Sequence, residues 1–138
     1  MKLGVPKETL ENENRVAALP ESVAEYVKMG FEVLVEASAG EGAFVADERY
    51  AAAGARLVPD AIQLFAESDV VIKVKQPHFN EALGRHEADI IREGAILVTF
   101  LHPAAPVNHD RSARCATAGS PRSPWTAVSY THLTLPTN

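Results

Sequence analysis

The stretch Val70-Val-Ile-Lys-Val74 is apolar at all but one position and too short for an ordinary helix. A run with no polar side to turn to water is the pattern of a strand covered on both faces, as in a parallel sheet. Ala95-Ile-Leu-Val-Thr-Phe100 repeats the pattern. Parallel neighbours need crossovers, and the sequence between strands supplies them. Lys2-Leu-Gly-Val5 forms a short strand ended by Pro6, and a polar loop over residues 7–19 follows. Pro20 suits the first turn of a helix and Glu21 its positive end. Val23, Tyr26 and Val27 then recur at helical spacing, and Gly30 stops the helix. Phe31 to Glu36 is a β-branched strand, Asp47 is placed to cap a short helix ending at Gly54, and Arg56-Leu-Val58 is a brief strand. Asp60 caps a helix through Ile62, Leu64 and Phe65, and a polar helix is expected around residues 81–93, ended by Gly94. The alternation predicts a doubly wound α/β domain with a parallel sheet of about five strands, in flavodoxin-like order.

Charge sets the limit of that domain. All 18 acidic residues lie at or before Asp110, which gives the first 110 residues a net charge of -8 and the remainder +3. Residues 111–127 contain no Leu, Ile, Val or Phe, and so cannot bury enough apolar surface to order themselves. A domain over residues 1–110 and a loosely packed tail over 111–138, with few contacts to the sheet, are expected. The net charge of -5 leaves no basic footprint for nucleic acid. The single Cys115 allows no internal disulfide framework and fits a cytosolic chain, and no apolar run reaches membrane-spanning length.

Ligands of open α/β sheets bind outside the carboxyl ends of the strands. Arg15 lies in the loop after the first strand, Lys75 ends the fourth, and His102 ends the fifth before Pro103. Arg15 can clamp a carboxylate bidentately, or pair with Glu11 or Glu13 at the surface. Lys75 either reaches water along the sheet rim or finds an anion, and Lys73 faces the same side of a regular strand. His102 is suited to general acid–base work near neutral pH, or to a structural hydrogen bond. Gly40-Glu-Gly42 resembles the start of a dinucleotide fingerprint, but Val45 stands where the third glycine belongs. No cofactor-binding residue and no metal site are assigned within the chain.

Lys2-Leu-Gly-Val-Pro-Lys-Glu8, Glu13-Asn-Arg-Val-Ala17, Gly30-Phe-Glu-Val-Leu-Val-Glu36, Ala53-Gly-Ala55, Asp69-Val-Val-Ile-Lys-Val-Lys75 and Thr99-Phe-Leu-His102 resemble, in order, the amino-terminal domain shared by alanine dehydrogenases and NAD(P) transhydrogenase alpha subunits. The resemblance covers residues 1 to about 110. It implies a two-domain subunit whose second, Rossmann domain binds NAD(H) and is absent here, so that the fragment alone is expected to be inactive. In alanine dehydrogenases the matching arginine holds the substrate carboxylate, the lysine contacts the carboxylate or the keto oxygen, and the histidine serves proton transfer, roles that would fall on Arg15, Lys75 and His102. In transhydrogenases hydride passes to NADP(H) on a partner subunit, and these residues need no substrate role.

The tail bears on that choice. Gly119-Ser-Pro-Arg-Ser-Pro-Trp-Thr126 can be encoded so that dropping two bases yields Leu-Thr-Ala-Phe-Ala-Met-Asp, which resembles the next strand of transhydrogenase alpha subunits. Val128-Ser-Tyr-Thr-His-Leu133 can be encoded by a transposon-type sequencing adapter. Residues 111–138 are therefore expected to be out of frame and adapter-derived. Pro103-Ala-Ala-Pro-Val-Asn-His-Asp110 also resembles the transhydrogenase segment. The sequence thus favours a transhydrogenase alpha subunit, coupling hydride transfer to proton translocation. That reading implies a cytoplasmic homodimer held at the inner membrane by membrane-embedded partner subunits. NAD-dependent alanine dehydrogenase is the alternative. A flavodoxin-like regulatory module fits less well, because no acidic phosphoacceptor cluster follows strand one.

Overall fold

Six parallel strands form the main sheet: β1 (Lys2–Val5), β2 (Glu32–Glu36), β3 (Arg56–Val58), β4 (Val70–Lys75), β7 (Ile96–Phe100) and β8 (Thr126–Ser129), in the order β3-β2-β1-β4-β7-β8. The computed structural model describes residues 1–100 and the backbone of residues 126–129. The α/β class and the parallel sheet stand as the sequence implies. The strand order refines the flavodoxin-like expectation: the chain steps twice to one side of β1 before crossing to the other, which is the six-stranded doubly wound order.

Helices α1 (Pro20–Lys28) and α2 (Asp47–Ala52) cover one face through a cluster that includes Val5, Val23, Val33, Val35 and Tyr50. Helix α3 (Ala61–Glu67) covers the other through Leu34, Val58, Leu64, Phe65, Val71 and Leu97. The period-2 alternation of β2 accounts for this split, since Val33 and Val35 face one cluster and Leu34 the other. Pro20 opens α1, and Gly30 follows its end at φ +95°, a conformation that favours glycine. Asp60 caps α3 by accepting the Gln63 N–H at 2.9 Å. Asp47 does not cap α2; Ala46 stands at that position and Asp47 accepts the N–H of Ser38 at 3.0 Å, tying the loop after β2 to the helix start.

Two further expectations are corrected. Residues 81–93 form no α-helix. A short antiparallel hairpin, β5 (Phe79–Asn80) with β6 (Arg85–His86), is followed by a 3-10 turn over Glu87–Asp89. The hairpin turn between β5 and β6 is set locally, by Gly84 at φ +62° and by Asn80 Oδ1 accepting the Leu83 N–H at 3.3 Å. The 3-10 turn is set at long range by Glu87, buried against Lys73 of β4. Nor do residues 126–129 lie apart from the sheet: Thr126, Ala127, Val128 and Ser129 pair in parallel with Ile96 to Thr99. An exposed strand edge accepts any β-prone segment that reaches it, which explains the pairing without reference to where the segment came from. No helix among the described residues is long and apolar enough to cross a membrane.

The packing of β1 against α3 leaves no room at Gly4, where an added Cβ would lie 2.2 Å from Ser68 Oγ and 2.9 Å from Leu64 Cδ2. Ser68 cannot simply turn away, because its hydroxyl donates to the Leu64 carbonyl at 2.6 Å. Gly4→Ala is expected to cost about 1–3 kcal/mol of stability through overpacking. Urea denaturation checks this, and an unchanged midpoint would show that α3 yields.

Candidate functional site

The sheet order reverses between β1 and β4, and there the carboxyl ends of neighbouring strands diverge to leave a crevice. The β1–β4 ladder ends at Gly4 and Val71. Beyond it the chain after β1 contributes Glu8, Thr9 and the loop to Arg15, and the end of β4 contributes Lys73, Lys75 and His78.

A buried ionic cluster ties the chain after β1 to β4 and to the turn at Glu87. Lys73 is completely covered, and Glu8 and Glu87 expose 1% of their side chains. Lys73 Nζ lies 3.0 and 2.9 Å from the two carboxylate oxygens of Glu87 and 3.6 Å from Glu8 Oε2. Glu87 also accepts the backbone N–H of His78 at 3.2 Å, and His78 Nε2 shares a 2.7 Å hydrogen bond with the Thr9 hydroxyl. Burial pushes the Glu8 carboxyl above its ordinary range, against the pull of Lys73 and the N–H of Val74. Charges taken this far out of water persist only when paired and hydrogen-bonded. Among the described residues no group of three or more His, Cys, Asp or Glu side chains is arranged to hold a metal ion.

Lys75 does not join this cluster, although a regular strand would put it beside Lys73. The β4–β7 register runs Ile72↔Val98 and then Lys75↔Phe100, which places one extra residue in β4. Cross-strand partners share a face, so the bulge moves Lys75 to the side of Ile72 and away from Lys73. On that side it meets the loop from Leu10 to Arg15, with which it lines an open cleft. Arg15 binds Glu13 through its backbone N–H at 3.0 Å, Nε at 2.8 Å and Nη2 at 2.7 Å. Lys75 Nζ lies 3.8 Å from Oε2 of the same carboxylate.

Two of the three residues singled out from the sequence therefore converge, and one carboxylate lies between them. Of the surface alternatives for Arg15, Glu13 is the partner and Glu11 is not. His102 lies outside the described residues. The glycines of Gly40-Glu-Gly42 admit close neighbours. A Cβ on Gly42 would stand 2.9 Å from the Asn14 backbone and one on Gly40 2.7 Å from Tyr50, so this segment supports the Arg15 loop from behind. Glu8, His78 and Glu87 stand out in no sequence pattern, because nothing in periodicity marks a polar residue as buried.

The guanidinium of Arg15 holds the Glu13 carboxyl down to about 2, from an ordinary 4.5. A lowered carboxyl stabilises the fold above the unfolded value, and the contribution disappears as pH falls through the folded one. The stability gap between the wild type and Glu13→Gln is thus expected at pH 6 and should close as pH falls from 4.5 towards about 2. Glu8 and Glu36, both raised by burial, act in the opposite sense, so their contributions are lost as pH rises. Urea midpoints measured across that range check the first trend; a gap independent of pH would refute it. The gap itself should be small, because Arg15 is largely exposed.

The family model described as "Alanine dehydrogenase/PNT, N-terminal domain" matches residues 4–124. The alanine dehydrogenase of Mycobacterium tuberculosis is 49% identical over 105 residues, which are 76% of this chain and 27% of that protein. The NAD(P) transhydrogenase subunit alpha of Cereibacter sphaeroides is 41% identical over 104 residues, 75% of this chain and 19% of the relative. A solved structure titled L-alanine dehydrogenase superposes with a TM-score of 0.78 at 37% identity, covering 99% of this chain and 34% of its own. The matched region spans only 27% and 19% of the length of these two curated relatives.

Proposed function

The chain belongs to the alanine dehydrogenase/PNT amino-terminal domain family, and from that premise we propose that it is the amino-terminal part of a nicotinamide-nucleotide oxidoreductase of the alanine dehydrogenase kind. In this reading Arg15 and Lys75 hold the carboxylate of a small 2-oxo or 2-amino acid, His102 serves proton transfer, and NAD(H) is bound by a second domain. One observation carries the reading: Arg15 in the loop after β1 and Lys75 at the end of β4, 60 residues apart and brought together by the sheet reversal and the β4 bulge, close on a single carboxylate. The preference for a transhydrogenase drawn from the sequence rests on residues beyond Phe100, whereas this convergence concerns the crevice itself.

A second reading keeps the transhydrogenase alpha subunit, with NADP(H) on a partner and membrane-embedded subunits coupling proton movement. It is favoured by the Nε edge of Arg15, which Glu13 already occupies, so that the pair needs no ligand. Assay of the complete gene product, alone and together with the products of its neighbouring genes, separates the two. Ammonium-dependent oxidation of NADH by pyruvate supports the first; hydride transfer from NADH to an NADP analogue, without pyruvate turnover, overturns it. The out-of-frame origin of residues 111–138 belongs to either reading. An uninterrupted reading frame in the source DNA, shared by related loci, would sink it.

A further inference from the structure

We propose that Glu8 is the positioning residue of this carboxylate site: it staples the loop that carries Arg15 to the bulge that aims Lys75. The inference rests on the carboxylate-binding reading above and concerns a residue that touches no substrate. At the end of β4 the usual partners of the backbone are lost. The ladder to β1 stops at Val71, and the ladder to β7 slips between Ile72 and Lys75. Between these breaks the N–H of Val74 donates to Glu8 Oε1 at 2.7 Å, with the N–H of Lys75 at 3.5 Å from the same oxygen. A buried N–H without an acceptor costs more than a hydrogen bond normally contributes, so the bulge needs this carboxylate.

Glu8 is also the residue from which the chain departs towards Glu13 and Arg15. Its Oε2 has no hydrogen-bond partner and is held by Lys73 at 3.6 Å, so the side chain is anchored from both sides of β4. The oxygen that fixes the height of Lys75 thus belongs to the loop that carries Arg15. Moving Glu8 moves both cations relative to each other.

The test uses the complete subunit, with amide hydrogen exchange read by mass spectrometry and a pyruvate titration. In Glu8→Ala, exchange at Val74 is expected to accelerate on the order of tenfold or more, while Val35 in β2 stays protected, and pyruvate affinity should fall by about tenfold. Glu8→Gln keeps an acceptor oxygen and should retain both protection and affinity. If Glu8→Ala leaves Val74 exchange and pyruvate affinity at wild-type values, the proposal is overturned. Should Glu8→Ala fail to fold, Glu8→Gln decides: loss of pyruvate binding with Val74 still protected overturns the proposal, and retention of both supports it. A wild-type chain that ignores pyruvate, with Val74 exposed in Glu8→Ala, overturns the carboxylate reading and leaves the staple standing.

Discussion

Lys73→Met is expected to destabilise the chain by about 3–5 kcal/mol, the usual cost of breaking a buried ion pair by removing one partner. A domain of this size has only about 5–15 kcal/mol in total, so much of the population should unfold under mild denaturant. The cost comes from what remains behind. Glu87 would keep a carboxylate 1% exposed, still accepting the His78 N–H but without its cation, and Glu8 would lose the ammonium that faces Oε2. The pair is not expected to be superior to apolar packing, since desolvation offsets most of the attraction. The double variant Lys73→Met/Glu87→Leu should therefore recover a large part of the loss. Urea midpoints measured for both variants check this, and a single variant within about 1 kcal/mol of wild type would refute burial of the cluster.

Much of the fold was legible because it follows from local rules. The apolar runs of β4 and β7, the Pro20 and Gly30 boundaries of α1 and the Asp60 cap are fixed by residues next to one another in sequence. What was not legible depends on partners far along the chain. Residues 81–93 look like a polar helix until Glu87 is known to be buried against Lys73, after which the same polar residues suit a hairpin and turn. The bulge is a defect of register between β4 and β7, and period-2 reasoning cannot see it; that is why such reasoning puts Lys73 and Lys75 on one face. Arg15 and Lys75 were identifiable as rim cations, yet their convergence needed the strand order, and Glu8 carried no sequence signal beyond following β1.

In the complete subunit, Arg15→Ala and Lys75→Ala are each expected to lower kcat/KM for the carboxylate substrate by about 10–150-fold, the equivalent of about 1.5–3 kcal/mol for a hydrogen bond to a charged group. Stability should change less than in Lys73→Met, because Arg15 is 66% and Lys75 30% exposed and either one still faces Glu13 when the other is removed. That separates them from Lys73, whose loss is felt by the fold. If both cations hold one carboxylate, removing the first frees the ligand to shift, and the second then has less to lose. The double variant should accordingly lose less than the product of the single effects, by an interaction of about 0.5–3 kcal/mol. Strict additivity would place the two cations on different ligand groups. Full activity in Arg15→Ala would mean that Glu13 is its sole partner, and would leave the substrate carboxylate to groups other than Arg15.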